Sequence, residues 1–326
     1  MAGNYRLRLA IIGVFAAMTM TSLVVARDNL SPEEWLHKMS VAVKTVDFEG
    51  TVIRRQNGDV QPLKVVHKTI DGVVNERIVV QEGNGLEVIR VGDVVHCILP
   101  DQKSVLIEQW QNSSTLFSTL PSSDIDPGTQ YDVLILDRNQ RVAGRSVIKL
   151  AIRPNDSFRF EHRFWLDKAT GFPLQTELVA PNGDVIDQLK FADILIDSPI
   201  TAQALAPSMS LTDYTWYTNP RSRQPTREQI DTDWVSDSLP SGFKVESTHQ
   251  EKISGSDRAT THIVYSDGMA TVSVFIEEVQ EQEIRRSAHR GTSNSFSTVI
   301  DGYQVTAVGE VPPETVELIA TSMRRR

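Results

Sequence analysis

Cysteine is nearly absent: Cys97 is the single one among 326 residues. That excludes a disulfide within the chain and a zinc site built on thiolates. Histidine is sparse and scattered, at His37, His67, His96, His162, His249, His262 and His289, with no HExxH and no pair at metal-ligand spacing. Basic residues are outnumbered by acidic ones, 33 to 42, for a formal charge of −9. A nucleic-acid binder needs a basic face to neutralise phosphates, so that class is excluded. GxSxG, P-loop and strand-linked GxGxxG motifs are all missing, and no local motif gathers Ser, His and Asp. Glu277, Glu278 and Glu281 end a strand-like run in an acidic, solvated stretch and make poor paired acids. The chain reads as a binding protein with no cofactor or metal, not as an enzyme. Its 40% hydrophobic content is too high for a disordered chain, and its length suits two domains with real cores.

A long apolar run occurs once, at the N-terminus. Arg6 and Arg8 form a positive start, Leu9 to Val25 carry no charge, and Val24 and Ala26 fit the −3 and −1 positions of a signal peptidase site. Residues 1–26 are expected to be a cleaved signal peptide, against the rival reading of an uncleaved anchor. Loss of Arg6 and Arg8 takes the formal charge from −9 to −11. A soluble mature protein outside the cytoplasm follows.

Ser31-Pro32-Glu33-Glu34 is a capping box with proline at the first helical position, and Trp35, Met39, Ala42, Val43 and Val46 follow at helical spacing. A helix over 32–46 that plugs a core is predicted. From Phe48 onward, Val- and Ile-rich runs alternate with turn signals such as Asn57-Gly58, Asp71-Gly72 and Pro181-Asn182-Gly183, the rhythm of an antiparallel meander. About eleven strands are expected before residue 199, including one over SFRFEHRFWLD and a turn at Asp137–Gln140. Cys97 falls inside a strand run, where a buried, inert thiol is expected. The polar segment 110–130 interrupts the meander, with Trp110, Leu116, Phe117 and Leu120 as its apolar residues.

The fold class expected is mainly β: a large antiparallel sheet, bent into an incomplete barrel, over residues 27–198. Residues 199–231, with Pro199, Pro207, Pro220 and Pro225, read as an extended linker. Residues 232–326 read as a small α+β domain with nine basic and fourteen acidic residues, a net −5. Its last helix opens at Pro312-Pro313-Glu314, and Arg324–Arg326 are expected to suit that helix's C-terminal dipole. A half-closed sheet must bury its concave face, and alternation names Phe48, Val52, Phe158, Phe160, Phe164 and Leu178 as candidate lining, with Trp110 and Phe117 lying over it. In the second unit Arg285, Arg286, His289 and Arg290 form a basic run ahead of a Gly291–Asn294 loop, a patch that would draw an anionic group.

Several ordered motifs across both units resemble one family, the periplasmic sigma-factor regulators of the RseB/MucB type. They are Arg141-Val142-Ala143-Gly144-Arg145, Pro154-Asn155-Asp156, Phe164-Trp165-Leu166-Asp167 with Thr170-Gly171, Tyr265-Ser266-Asp267-Gly268-Met269-Ala270, and Val305-Thr306-Ala307-Val308-Gly309-Glu310-Val311-Pro312. The resemblance implies a large domain similar to the lipoprotein carriers LolA and LolB. It implies a periplasmic negative regulator of a sigma-E type envelope stress response. Such a regulator binds the periplasmic domain of a membrane-spanning anti-sigma factor (RseA/MucA-like), shields it from the site-1 protease, and lets go on lipid or lipopolysaccharide signals. On that footing the Phe48–Leu178 set with Trp110 and Phe117 would be a lipid cleft, and Arg285, Arg286, His289, Arg290 and Asn294 would touch the partner. A homo-oligomer is compatible with the resemblance, and a simple periplasmic lipid or lipoprotein carrier is the alternative function.

Overall fold

The computed structural model describes residues 30–56, 58–109, 116, 128–218, 228–252, 259–279 and 286–326. The expected signal peptide therefore lies outside the described residues. Helix α1 (Pro32–Thr45) starts as its sequence dictates. Ser31 Oγ accepts from the Glu34 amide at 3.2 Å, and the Glu34 carboxylate accepts from the Ser31 amide at 2.7 Å. Trp35, Leu36, Met39 and Ala42 form its buried stripe.

Eleven strands precede residue 199: β1 (Phe48–Gln56), β2 (Asp59–Ile70), β3 (Val73–Val80), β4 (Glu87–Val91), β5 (Val94–Leu99), β6 (Ser104–Gln109), β7 (Tyr131–Val142), β8 (Arg145–Pro154), β9 (Glu161–Asp167), β10 (Pro173–Val179) and β11 (Val185–Ile196). After them come a one-turn helix α2 (Ala202–Leu205) and a short strand β12 (Thr215–Thr218). The order across the sheet is β12-β6-β5-β4-β3-β2-β1-β11-β10-β9-β8-β7. The edges β12 and β7 do not pair with each other, so this is a large open sheet and not a closed barrel. One pair departs from the antiparallel expectation: β12 runs parallel to β6, from Thr215↔Ser104 to Thr218↔Ile107.

Two local readings are corrected. The turn signal at Asp137–Gln140 is an irregularity inside β7. Asp137 accepts from the Asn139 amide and the Gln140 side chain, and the chain reverses only at Ala143-Gly144, both at positive φ. The run SFRFEHRFWLD is not one strand. Asp156 accepts from the Phe158 amide at 3.0 Å and Arg159 is drawn into a buried ion pair, so the ladder begins only at Glu161.

Register places the core. Phe48, Val52, Leu63, Val65, Ile78, Leu189 and Phe191 fall on one sheet face by cross-strand pairing, and Ile148, Leu150, Phe164 and Leu166 continue that same face across β8 and β9. Helix α1 lies over it, with Ala42 and Val46 in one cluster, Trp35, Leu36 and Met39 in the other, and Val43 touching both. Two glycines are steric requirements. A Cβ on Gly50 would strike the Asp193 carbonyl, and one on Gly171, at φ +83°, would meet Lys38 Cγ at 2.6 Å beneath α1.

The opposite face of β3–β6 is covered by the chain that leaves β11. Met209, Leu211 and Tyr214 pack on Ile89, Ile98 and Val105. Glu87, with no exposed side-chain surface, accepts from the Ser208 amide at 3.2 Å, from its hydroxyl at 2.7 Å and from Arg77. Arg77 and Lys68 donate to the Ala204 and Ile200 carbonyls. Residues 200–218 thus strap the sheet's outer face.

Beyond the strap lie β13 (Glu228–Gln229), β14 (Trp234–Ser236), β15 (Lys244–Lys252), β16 (Ala259–Ser266), β17 (Thr271–Glu278), β18 (Arg286–Arg290), β19 (Ser293–Ile300), β20 (Tyr303–Gly309), α3 (Pro313–Thr321) and β21 (Met323–Arg325). Seven of these strands form a second sheet, β13-β15-β16-β17-β20-β19-β18. Val316, Ile319 and Ala320 of α3 bury against Ile263, Val274, Val305 and Ala307. The final arginines do not serve the helix dipole. Arg324 and Arg325 belong to β21, which pairs with β14, and reach Asp237 and Asp233 at 2.5 Å, while the Arg326 amide donates to the Asp233 carbonyl. Among the described residues no helix is long and apolar enough to cross a membrane.

Candidate functional site

Three places combine chemistry with geometry: the inner face of the large sheet, the junction between the two sheets, and the outer edge of the second sheet.

Of the eight cleft candidates, register brings Phe48, Val52, Phe164 and Leu178 onto the inner face. All four are buried, Phe48 at 1% and Val52 at 0% exposure, and Phe48 packs with Phe172 and Phe191 at centroid distances of 4.7 and 5.6 Å. At this end the face is a filled core. Phe158 and Phe160 are not part of it, because they sit in the loop before β9, and the Phe158 carbonyl accepts from Thr315 of α3 at 2.8 Å. Trp110 and Phe117 lie outside the described residues, whereas Leu116 between them is buried in the α1-side cluster.

The inner face changes character toward β4–β6. Val88, Cys97 and Leu106 stand opposite one another in register and are only half-buried. Cys97 is therefore less enclosed than expected, although burial, with help from Glu108, still pushes its thiol up to about 11. Sequence alternation in VVHCIL and SVLIEQ carried this row, but attention to phenylalanines passed over it. Beside it, His67 stacks on Phe48 and faces Glu76 at 3.4 Å, with His67 Nε2 and Glu76 Oε2 buried and, among the described residues, without partners.

The junction centres on Arg159, buried to 1% exposure. Its Nε donates to Asp267 Oδ2 at 2.5 Å, and its other nitrogens donate to Asp156 and to the Ser241 carbonyl. Tyr131 donates to the same Asp267 oxygen at 2.8 Å, while Asp267 Oδ1 accepts from the amides of Met269 and Ala270. The guanidinium also lies over the Tyr131 and Phe243 rings. A second contact joins the β18–β19 turn to β1. Gly291 abuts Gln56, and Thr292 donates to Glu310, whose carboxyl is raised by burial and by Asp187 nearby. Sequence reasoning missed both contacts. Arg159 and Asp267 lie inside motifs already singled out, yet nothing local says that they meet.

The expected Gly291–Asn294 loop is a two-residue turn, Gly291-Thr292, with Ser293 and Asn294 already in β19, and the basic run ahead of it is a strand. Arg286–Arg290 is an edge strand in which every residue is exposed, and among the described residues it pairs only with β19. Arg286, His289 and Arg290 are therefore presented outward. Arg285 lies outside the described residues. Asn294 pairs with His289 on the face away from Arg286 and Arg290: it is buried, donates to the Val311 carbonyl at 2.8 Å and meets His289 Nδ1 at 3.1 Å. Its bond to Val311 ties β19 to the start of α3. On the opposite side of this unit, a hollow of about 400 Å³ opens between Trp234, Tyr303, Glu277 and Arg325, with Arg325 already paired to Asp233. Among the described residues no group of three His, Cys, Asp or Glu side chains is placed to hold a metal.

Comparison with known proteins agrees with the two-sheet layout. The MucB/RseB N-terminal domain matches residues 31–209 and the MucB/RseB C-terminal domain matches residues 228–324. The chain is 27% identical to the sigma factor AlgU regulatory protein MucB of Pseudomonas aeruginosa, across 97% of this chain and 96% of that protein. It is 24% identical to the sigma-E factor regulatory protein RseB of Haemophilus influenzae, across 96% and 98%. In three dimensions it is similar to MucB in the Pseudomonas aeruginosa MucA/MucB complex, with a TM-score of 0.68, 25% identity, and 90% and 99% coverage.

Proposed function

The chain belongs to the MucB/RseB family, and from that membership we propose that it is a periplasmic negative regulator of a sigma-E type stress response. It binds the periplasmic region of a membrane-spanning anti-sigma factor and keeps the site-1 protease from it. The observation that carries this reading is the match of both domains along nearly the whole mature chain, including a solved relative described as a complex with MucA. The domain layout supports it. A carrier of lipid or lipoprotein needs one sheet and a cleft, whereas here a second sheet is bolted to the first through Arg159 and presents an exposed basic edge. Two domains are part of the same proposal, but the expected linker 199–231 is shortened at both ends: residues 200–218, with β12, pack on the large sheet, and Glu228–Gln229 pair with β15 of the second.

Release by a lipid or lipopolysaccharide signal is its second half. Phe48 is packed against Phe172 and Phe191, whereas Val88, Cys97 and Leu106 are half-buried, which favours that row as the opening.

The test uses the mature protein and the purified periplasmic region of the anti-sigma factor from the same organism. Stoichiometric binding, and slower cleavage of that region by the site-1 protease in its presence, are expected. No binding at micromolar concentration overturns the reading. For the lipid half, mass spectrometry of protein purified without detergent is expected to find a bound lipid, and displacement of the partner by added lipopolysaccharide is the functional check.

A further inference from the structure

Six strands stand at a sheet edge among the described residues: β7, β12, β13, β14, β18 and β21. Five are poor templates for another strand. β12, β13, β14 and β21 have four, two, three and three residues. β7 is long, but its register breaks at Ile135/Asp137 and again at Asp137/Gln140, and such irregularities blunt an edge. β18 differs. It pairs with β19 without a break, from Arg286↔Ser297 to Arg290↔Ser293, and all five of its residues are exposed. A regular outer strand leaves alternate backbone N–H and C=O groups free to pair with a new chain.

Side-chain alternation says what kind of chain. Arg286, Ala288 and Arg290 share one face of β18, and Ser287 and His289 share the other. Two copies of β18 meeting antiparallel about Ala288 would set Arg286 against Arg290, and like charges directly opposite are destabilising. A second copy of this chain is thus a poor occupant. An acidic strand is a good one: carboxylates four residues apart would each face a guanidinium that grips with two donors, while Ala288 leaves room between them. The strand is also held ready, since His289 is tied to Asn294, and Asn294 to Val311, before anything binds. Pre-ordering lowers the entropy lost on association. The charge stands out locally, because the chain as a whole carries −9.

Granted the anti-sigma reading above, we propose that an acidic, extended segment of the anti-sigma factor's periplasmic region adds to β18 as an eighth strand. Its backbone pairs with the outer edge, and two of its carboxylates are held by Arg286 and Arg290.

The experiment follows amide hydrogen exchange of residues 286–290 in the mature protein, with and without saturating anti-sigma periplasmic region. Alternate amides in this stretch should slow by about tenfold or more as they acquire partners. In parallel, the pair Arg286→Glu with Arg290→Glu should weaken the complex by about tenfold or more at low salt, with normal melting, and the Arg286→Lys, Arg290→Lys pair by less. Tight binding with exchange at 286–290 unchanged overturns strand addition and leaves the anti-sigma reading standing, even if the charge reversal weakens the complex. Absence of binding by the wild-type protein overturns both. Concentration-dependent dimerisation that slows the same amides without any partner makes a second copy the occupant and overturns the proposal as well.

Discussion

Arg159 and Asp267 come from different sheets, one from the loop before β9 and the other from the turn between β16 and β17. Their side chains meet at 2.5 Å with no exposure on either. Every oxygen of Asp267 is used: Oδ2 takes Arg159 and Tyr131, and Oδ1 takes two backbone amides. A buried pair of this sort is weak evidence for net stability, because desolvation offsets its attraction, but breaking it by removing one partner is costly. Removing one partner strands a charge. Arg159→Ala or Asp267→Ala should each cost about 3–5 kcal/mol in urea unfolding. The pair Arg159→Met with Asp267→Leu should recover most of that loss while freeing the second domain, which small-angle scattering would report as a larger radius of gyration. Equal destabilisation by the single and double variants would show that the contact is not acting as a pair.

The strap over the outer face hangs on Glu87. Its carboxylate takes the Ser208 amide, the Ser208 hydroxyl and Arg77, and its side chain is wholly buried. Glu87→Ala should cost about 3 kcal/mol, because Arg77 and the Ser208 amide lose their acceptor together, whereas Ser208→Ala should cost about 1 kcal/mol. Limited proteolysis is the sharper readout: cleavage between residues 200 and 218 should speed up in Glu87→Ala. An unchanged cleavage pattern would place the strap's anchorage in Met209, Leu211 and Tyr214 instead.

Much of this was legible in the sequence, and the failures share a cause. The capping box, the eleven strands before residue 199 and the C-terminal helix follow from local rules, since period, cap and turn chemistry act within a few residues. What escaped depends on distant partners. Asp137 looked like a turn because an Asp that binds its own backbone looks the same in a turn and in a bulge. Arg159 looked like one residue of a strand because Asp267, its partner, is 108 positions away. The basic run did not read as a strand because an exposed edge strand of Arg, Ser, Ala and His lacks the hydrophobic alternation that marks a half-buried one. Phenylalanine marks packing for the opposite reason: the largest apolar side chains go where packing is densest, and Phe48, Phe172 and Phe191 fill the core together.

That difference can be measured. Phe48→Ala should cost about 3–5 kcal/mol, the loss expected from a fully packed site. Leu106→Ala, on the half-buried row with Val88 and Cys97, should cost clearly less, about 1–2 kcal/mol, because part of that side chain is already in water. If the row is the lipid opening, Leu106→Ala should lower the yield of co-purified lipid while leaving partner binding intact. Comparable destabilisation by both changes, with lipid content unaltered, would make the row ordinary core.

Acid should weaken the fold in two separable steps. His162 stacks with Phe164 on the inner face, and burial pulls its pKa from 6.5 down to about 4, with Asp267 working in the other direction. Between pH 6.5 and 4 the unfolded chain therefore binds a proton at this site that the folded chain refuses. Stability must rise with pH across that window and fall as the solution is acidified through it. Asp167 acts lower down. Burial opposes its ionisation, but hydrogen bonds from Arg145 and Thr170 outweigh that and leave its carboxyl below the ordinary 3.8. Its contribution is present above that value and disappears only beneath it. Urea unfolding at pH 7.5, about 4 and about 2.5 should show a first loss that is reduced in His162→Gln and a second that is reduced in Asp167→Asn. His162→Gln should leave the pH dependence above 7 unchanged, since the imidazole is neutral in both states there. A first loss of the same size in His162→Gln as in the wild type would assign it to another group.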